Sequence, residues 1–490
     1  MVLIVRSREE KMKSNKLICI CCCADSAIKR FDLLTMPSGG LAAVGGTAKK
    51  LNIDMVSIDE MFVGNDKKFE DVLYNEINKS LENYKNVFVF AELFLYNSAK
   101  SIKIIKNLRK EYSTQIKIGI AGQLVNYCYT SYENNSIIDI IGVGNAESIL
   151  YDMIFSGKRM IIESREDAKR SILLRVFDYS NYYAIEERLD ETERNSVIGR
   201  GINRIDNVRQ LVIEGNKGCP WAARKNGGCS FCSIEGNKQY INMNIDDYLN
   251  QISVMVTKYK ANWVYDPSSQ WLPWKEEDRI RYLNQLLERK RILEAKKCSK
   301  YIYLSPFLVN DTIASLLKEA DVGCVYLGID HFYSESIKVL NKPVCSMKIL
   351  EKCMDALKKY NIAVRIGIVI GAYETEESIK AVDDGLKWMM MNYGNILLTV
   401  GCFPISVFPG SRFYHNYKVS SIITPEAKRI INKIEEDGYI SWEEQLELDK
   451  NFIDATCSFS SDELFTLQKK IMTMTELNNI VSYYSKGISR

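Results

Sequence analysis

Continuous apolar runs alternate with 3.6-period amphipathic stretches along most of the chain, and this alternation predicts repeated β–α units. In the first third, Leu17–Ala24 (LICICCCA) is apolar on every residue, as a strand buried on both faces of a parallel sheet must be. A helix rich in small residues is predicted over Gly39–Leu51, then strands over Ile53–Ile58 and Val87–Phe90. An amphipathic helix follows over Ser98–Glu111. Strands are predicted over Ile116–Ala121 and Ile137–Val143, with a helix from about Ala146. Such units build a doubly wound, Rossmann-like parallel sheet, whose ligands bind beyond the carboxyl ends of the strands. Those ends are Ala24–Ser26, Ala91–Phe94, Gly122–Val125 and Gly142–Glu147.

Residues 157–205 are polar, charged and weakly periodic, which predicts a connector. From Gln210 the alternation resumes, with strands predicted over Gln210–Glu214, Trp263–Asp266, Tyr301–Ser305, Val325–Gly328, Val364–Ile370 and Leu397–Phe403. Six units in about 200 residues predict a partial (β/α)6 barrel of the TIM type. The expected fold is therefore α/β with four segments. Residues 14–156 form the Rossmann-like domain, 157–205 the connector, 206–419 the partial barrel, and 420–490 a helical C-terminal region.

The chain has 490 residues, 46% hydrophobic and 26% charged, in the range of a folded globular protein. A net charge of +3 is no electrostatic footprint for nucleic acid. No apolar run approaches the ~20 residues of a membrane span, and the first sixteen residues lack a secretory h-region and cleavage site. A cytoplasmic protein with reduced thiols is expected. Its two histidines, His331 and His415, argue against multi-His zinc sites and two-His iron sites.

Against that background the fourteen cysteines matter, and three of them stand in one short segment, Gly218-Cys219-Pro220-Trp221-Ala222-Ala223-Arg224-Lys225-Asn226-Gly227-Gly228-Cys229-Ser230-Phe231-Cys232. Gly218, Gly227 and Gly228 let the backbone fold around a bulky object. Thiolates suit zinc or an iron–sulfur cluster. A structural zinc site usually completes four ligands nearby, yet no Cys or His follows within the next sixty residues. Three thiolates without a fourth fit a [4Fe–4S] cluster with one iron left open. Other signals have plainer readings. Cys19, Cys21, Cys22 and Cys23 read as core packing, His331 as a strand-end residue, Trp388–Met391 as core filler, and Leu287–Lys297 as a solvated helix face.

The cysteine segment resembles the cluster loop of radical S-adenosylmethionine (SAM) enzymes, which ends in Cys-x-aromatic-Cys, as Cys229, Phe231 and Cys232 do; the nine-residue first gap is longer than the commonest spacing. VYLGIDHFYSESIKVLNKPV, VRIGIVIGAYETEESI and FPISVFPGSRFY resemble the fourth-, fifth- and sixth-strand segments of these barrels. The first third is similar to the cobalamin-binding domain that precedes the barrel in one branch, through PSGGLAAVGGTAKKLNIDMVSID, IGIAGQLVNYCYT and IIDIIGVGNAESIL; Gln123 and Asn145 depart from that pattern.

The resemblance implies that Cys219, Cys229 and Cys232 ligate iron, that the open iron chelates SAM, and that reductive cleavage yields a 5′-deoxyadenosyl radical. Phe231 is then placed to touch adenine. Asp266 and Gln270 fall where relatives bind the SAM amino group, and Asp330 where Glu is common. Arg365 is a candidate carboxylate partner or an ordinary strand Arg, and Gly371 allows close approach of adenine or ribose or simply makes a turn. Gly122, Gly142 and Gly144 are the small residues expected against a corrin. No catalytic side chain is singled out. The implied function is a cobalamin-dependent radical SAM enzyme that methylates or rearranges an unactivated carbon of a peptide or natural-product intermediate. It would draw on an external electron donor such as flavodoxin or ferredoxin. The alternatives are a radical SAM enzyme without functional cobalamin, acting on RNA or peptide, and a non-catalytic iron–sulfur or zinc protein.

Overall fold

Two six-stranded parallel sheets organise the chain, and it divides into two compact units, one of residues 1–191 with 430–444 and one of residues 192–429 with 445–490. In the computed structural model, residues 13–22, 37–63, 66–164, 175–195, 197–198, 205–233, 240–343 and 346–473 are described, with the single positions 166, 169 and 173. The predicted strand end Ala24–Ser26, and Cys23, lie outside these residues.

The first unit's strands are β1 (Lys13–Cys21), β2 (Asp54–Asp59), β3 (Tyr84–Glu92), β4 (Ile116–Ala121), β5 (Ile140–Val143) and β6 (Met160–Ile162). They pair in the order β2-β1-β3-β4-β5-β6, all parallel. The order reverses between β1 and β3, and a ligand crevice of such a sheet opens outside the carboxyl ends at that reversal. Leu17, Ile18 and Ile20 of β1 are fully buried, as an apolar run without alternation requires. Cys19, Cys21 and Cys22 are buried with them; burial pushes the Cys19 thiol far up, so this group is core and not a redox pair.

Helix α1 (Gly39–Lys50) explains its own small residues. Ser38 caps it by accepting from the Leu41 N–H at 3.3 Å. A Cβ at Gly46 would lie 2.0 Å from the Val176 carbonyl oxygen, and one at Gly45 2.8 Å from that of Asp178. The Asp178 N–H donates to the Ala42 carbonyl at 3.0 Å, and the Tyr183 N–H to the Ser57 carbonyl at 3.0 Å. The stretch read as a connector thus belongs in part to the first unit, which it supplies with β6 and a backbone pressed onto α1. A three-residue strand and a backbone-on-helix contact carry no hydrophobic period, so the sequence pattern does not reveal them. Residues 430–444, expected in the C-terminal region, also belong to this unit: Tyr132 donates to the Gly438 carbonyl and Ser98 Oγ to the Ile440 carbonyl at 3.2 Å.

The second unit's strands are β7 (Gln210–Val212), β8 (Trp263–Asp266), β9 (Ser299–Leu304), β10 (Val322–Asp330), β11 (Ala363–Ile370) and β12 (Leu397–Pro404). They pair parallel in sequence order. Helices α2 (Ile245–Tyr259), α3 (Glu276–Ile292), α4 (Asp311–Glu319), α5 (Met347–Lys359) and α6 (Glu376–Tyr393) connect successive parallel strands, the β–α order of the predicted partial barrel. Side chains alternate accordingly. Val364, Ile366, Ile368 and Ile370 are wholly buried, while the opposite face carries Tyr265, Tyr303, Tyr326, Arg365 and Thr399, all part-exposed. No helix among the described residues is long and apolar enough to cross a membrane.

Gly46→Ala tests the α1 contact. Helix propensity alone would gain about 1 kcal/mol. Overpacking against a backbone carbonyl should instead cost about 1–3 kcal/mol, read as a lower urea midpoint. A raised midpoint would mean that the backbone of Val176–Asp178 does not press on α1.

Candidate functional site

The cysteine loop follows β7 at its carboxyl end, where a barrel of this kind presents its chemistry. Tight turns shape it: the Ala223 N–H donates to the Cys219 carbonyl at 2.9 Å, Gly227 to Arg224 at 2.9 Å and Cys232 to Cys229 at 3.1 Å. Gly218 and Gly228 have φ of +81° and +89°, in the left-handed region, and a Cβ at Gly227 would lie 1.8 Å from the Trp221 carbonyl. Trp221 stacks on Trp274 with centroids 5.5 Å apart, and the Arg224 guanidinium lies over the Trp274 ring, 5.0 Å from its centroid.

The loop is seated on the end of the short helix Ser334–Val339 and the residues that follow it. The Ser230 N–H donates to the Leu340 carbonyl and Ser230 Oγ to the Val339 carbonyl, both at 2.9 Å. Trp221 Nε1 donates to the Asn341 carbonyl at 2.9 Å, and Asn341 Nδ2 donates to the carbonyls of Asn226 at 3.1 Å and Gly228 at 2.6 Å. Arg412 donates to the Gly227 carbonyl, and the Phe413 N–H to that of Ser230 at 3.0 Å.

Cys219, Cys229 and Cys232 are part-exposed and form no disulfide. Burial pushes the Cys229 thiol up to about 12; the Lys342 ammonium opposes this, while Asp330, Cys232 and Cys219 add to it. The three sulfurs therefore share one electrostatic neighbourhood. Yet no three His, Cys, Asp or Glu side chains among the described residues converge on a point that one metal ion could fill. Three thiols gathered in one loop are soft ligands that suit zinc or an iron–sulfur cluster.

Around the loop, the sequence candidates divide. Phe231 lies beneath the Lys342 ammonium, 6.0 Å from ring centroid to Nζ, and Lys342 pairs with Asp330. Asp266 is fully buried and accepts from the Gly215 N–H at 3.1 Å, the Ser268 N–H at 3.1 Å, Ser268 Oγ at 2.5 Å, Tyr248 at 3.1 Å and Trp271 Nε1 at 3.0 Å. Both its oxygens are thereby spent on holding the β7 and β8 ends. Gln270 uses its Oε1 to accept from Ser305 at 3.0 Å, leaving a buried Nε2 without a hydrogen-bond partner. Neighbouring Asn216, whose Nδ2 donates to the Gln270 carbonyl at 3.1 Å, keeps a buried Oδ1 likewise without a partner. One buried donor and one buried acceptor are thus left over on two residues joined by a hydrogen bond; Asn216, three residues before Cys219, carries no motif that the sequence could flag. Arg365 meets hydroxyls, donating to Thr399 Oγ1 at 2.9 Å and to the Tyr301 hydroxyl at 3.0 Å.

The Gly371 N–H is taken by Glu374 Oε1 at 3.2 Å, and Gly371 itself has φ +99°. His331 is buried behind this turn. Its Nδ1 accepts from the Tyr333 N–H at 2.9 Å, and its Nε2 lies 3.3 Å from Glu374 Oε2 without making a hydrogen bond. On the part-exposed barrel face, register places Tyr303, Tyr326, Arg365 and Thr399 side by side across four strands. Tyr265 and Tyr303 share a hydrogen bond of 2.8 Å, and the Tyr303 and Tyr326 rings lie 4.6 Å apart. The alternation of Tyr301 and Tyr303 was the only sequence signal for this belt.

In the first unit, the three candidate glycines have local reasons. A Cβ at Gly122 would lie 2.6 Å from the Leu93 carbonyl oxygen, at Gly142 2.7 Å from Met153 Sδ, and at Gly144 2.3 Å from Glu163 Cβ. The carboxyl end of β3 offers instead a stacked aromatic pair, Phe94 and Tyr96, 5.2 Å apart, with Tyr96 41% exposed. Such a platform suits a flat apolar ligand face. Both histidines of the chain lie in the second unit, so the first unit has no imidazole to offer a cobalt.

Residues 217–384 match the model of the radical SAM superfamily. Over 336 residues the chain is 22% identical to bacteriochlorophyllide d C-8(2)-methyltransferase of Chlorobaculum tepidum, covering 67% of this chain and 68% of that protein. Its fold is similar to that of the radical SAM methyltransferase TsrM from Kitasatospora setae, solved with cobalamin and a [4Fe–4S] cluster (12% identity, TM-score 0.56, 85% of this chain and 78% of that one). It is also similar to OxsB, a cobalamin-dependent SAM radical enzyme solved with aqua-cobalamin (11% identity, TM-score 0.58, 88% of this chain and 63% of that one).

Asp266→Asn tests the role of the buried carboxylate. Desolvation holds its pKa up at about 6, against partial compensation from Ser268 and Gly215. An acid raised on folding binds its proton more tightly in the folded state. Its contribution is therefore largest below about pH 4, declines as pH rises to 6, and is flat above. The span is about 3 kcal/mol. In Asp266→Asn this decline should vanish from urea-unfolding stability measured between pH 4 and 7; an unchanged slope would contradict the assignment.

Proposed function

We propose that this chain, whose residues 217–384 carry the radical SAM domain, is a cobalamin-dependent radical SAM enzyme that methylates or rearranges an unactivated carbon of a small molecule or peptide. The observation that carries the proposal is the cysteine loop at the end of β7, with three thiols in mutual electrostatic reach. Cys219, Cys229 and Cys232 would hold a [4Fe–4S] cluster and the first unit a corrinoid. When bound, these groups supply one-electron reduction of SAM and a methyl-carrying cobalt.

The protein's own residues do the rest. The Ser230 and Asn341 hydrogen bonds fix the loop, so that the cysteines are presented without reorganisation. Asn216 Oδ1 and Gln270 Nε2 offer an acceptor for an ammonium and a donor for a carboxylate, the two charges of an amino acid end. Phe231 offers an aromatic face to adenine. The His331–Glu374 pair holds the Gly371 turn. The belt of Tyr303, Tyr326 and Arg365 favours a conjugated or aromatic substrate, since phenol and guanidinium faces stack on such surfaces. Relatives that act on bacteriochlorophyllide d and that bind tryptophan agree with that class. The free thiols suit a reducing compartment, the cytoplasm, where flavodoxin or ferredoxin would deliver the electron.

A second reading, a radical SAM enzyme with a purely structural first unit, draws support from Gly122, Gly142 and Gly144, whose smallness is accounted for by their own neighbours.

Anaerobic reconstitution should give about four irons per chain and a SAM-perturbed paramagnetic signal. Replacing Cys219, Cys229 and Cys232 together by Ala should abolish iron uptake and SAM cleavage while leaving corrinoid binding intact. Zinc alone in the purified protein, or cleavage persisting in the variant, would refute the cluster. Failure to bind a corrinoid with cleavage retained would favour the second reading. Gln270→Ala should weaken SAM binding about tenfold, as loss of one hydrogen bond to a charged group does, with iron content unchanged.

A further inference from the structure

We propose that Lys342 is an electrostatic positioning residue that sets the reduction potential of the cluster held by Cys219, Cys229 and Cys232; this rests on the reading above. Its side chain is 14% exposed and lies in an ion pair with Asp330, whose side chain is 10% exposed. The ammonium stands 6.0 Å from the centroid of Phe231, the residue between two of the cysteines. Gly328, on the same strand as Asp330, borders the pair; a Cβ there would lie in ordinary contact with it, 3.6 Å from Lys342 Nζ.

The placement is fixed by backbone. Asn341, with φ +48°, spends its side-chain amide on the carbonyls of Asn226 and Gly228. Leu340 and Val339 accept from Ser230, and the Lys342 N–H donates to the Ile337 carbonyl at 3.0 Å. Five hydrogen bonds thus tie Val339–Asn341 to the cysteine loop, and they deliver Lys342 beside it. At Cys229 the pull of this ammonium outweighs the push of Asp330, and Cys219 and Cys229 in turn act on Lys342.

The physical consequence follows from charge. Three thiolates already make the site anionic, and one-electron reduction adds a further negative charge. A cation held in a part-desolvated place stabilises that added charge more than it would in water. Lys342 therefore favours the reduced form, and Asp330 opposes it. Opposite effects from the two partners of one ion pair are the signature of electrostatics, because loss of packing would move both variants the same way.

The test is a potentiometric titration, monitored by electron paramagnetic resonance, of the full chain reconstituted anaerobically, without SAM. It compares the wild type with Lys342→Met, Lys342→Arg and Asp330→Asn. At the wild-type midpoint, Lys342→Met should hold about tenfold less reduced over oxidised cluster, a shift of about 59 mV for a one-electron couple. Lys342→Arg should stay near the wild type, and Asp330→Asn should shift the other way. Iron content and thermal unfolding, measured alongside, report whether the seat is intact; if Lys342→Met takes up no iron, a raised midpoint in Asp330→Asn beside an unshifted Lys342→Arg decides for the proposal, and an unshifted Asp330→Asn against it. Unchanged midpoints, shifts of one sign in both variants, or a weakened SAM dissociation constant with an unchanged midpoint would overturn the proposal. A wild type that takes up no iron would instead overturn the underlying reading.

Discussion

The seat of the cysteine loop on Val339–Asn341 is the constraint on which the second unit's chemistry depends. A loop of fifteen residues rich in glycine has no preferred shape of its own and loses much backbone entropy when ordered. Turn hydrogen bonds within it offset only part of that loss. The remainder comes from outside: Ser230, Trp221 and Asn341 convert backbone carbonyls into fixed partners, and Arg412 closes the loop from the far end of the barrel sequence. Because those partners hang from the ends of β10 and β12, the barrel positions the thiols, and the thiols need no geometry encoded within their own segment.

The same economy governs the strand ends nearby. A carboxylate buried as deeply as Asp266 is costly unless satisfied, and five donors gather on it. The result is a rigid frame from Gly215 to Trp271. Within that frame Asn216 Oδ1 and Gln270 Nε2 remain without partners. In a protein interior such atoms are uncommon. His331 and Glu374 form a second frame of the same kind around Gly371.

The first unit follows a packing logic. Its sheet order creates a crevice at the β1–β3 reversal, but its glycines answer to neighbours: Gly46 to the Val176 carbonyl, Gly142 to Met153, Gly144 to Glu163. Small residues in a pattern are thus ambiguous evidence for a ligand, because a close backbone and a flat cofactor demand the same absence of a side chain. The exposed Phe94–Tyr96 stack is the feature that packing does not explain.

The sequence by itself determined the class of fold and singled out the cysteine loop. Strand and helix periods are local properties of ten or so residues, and Ile116–Ala121 and Trp263–Asp266 begin and end where those periods say. Cysteine spacing is local too. What tertiary structure alone decided is which polar atoms are left over. Asp266, read as a ligand contact, is consumed by donors drawn from Gly215, Tyr248 and Trp271. Lys342, which no motif distinguishes, is brought beside Cys229 from more than a hundred residues away. Burial and pairing are sums over neighbours distant in the chain, and no local pattern contains them.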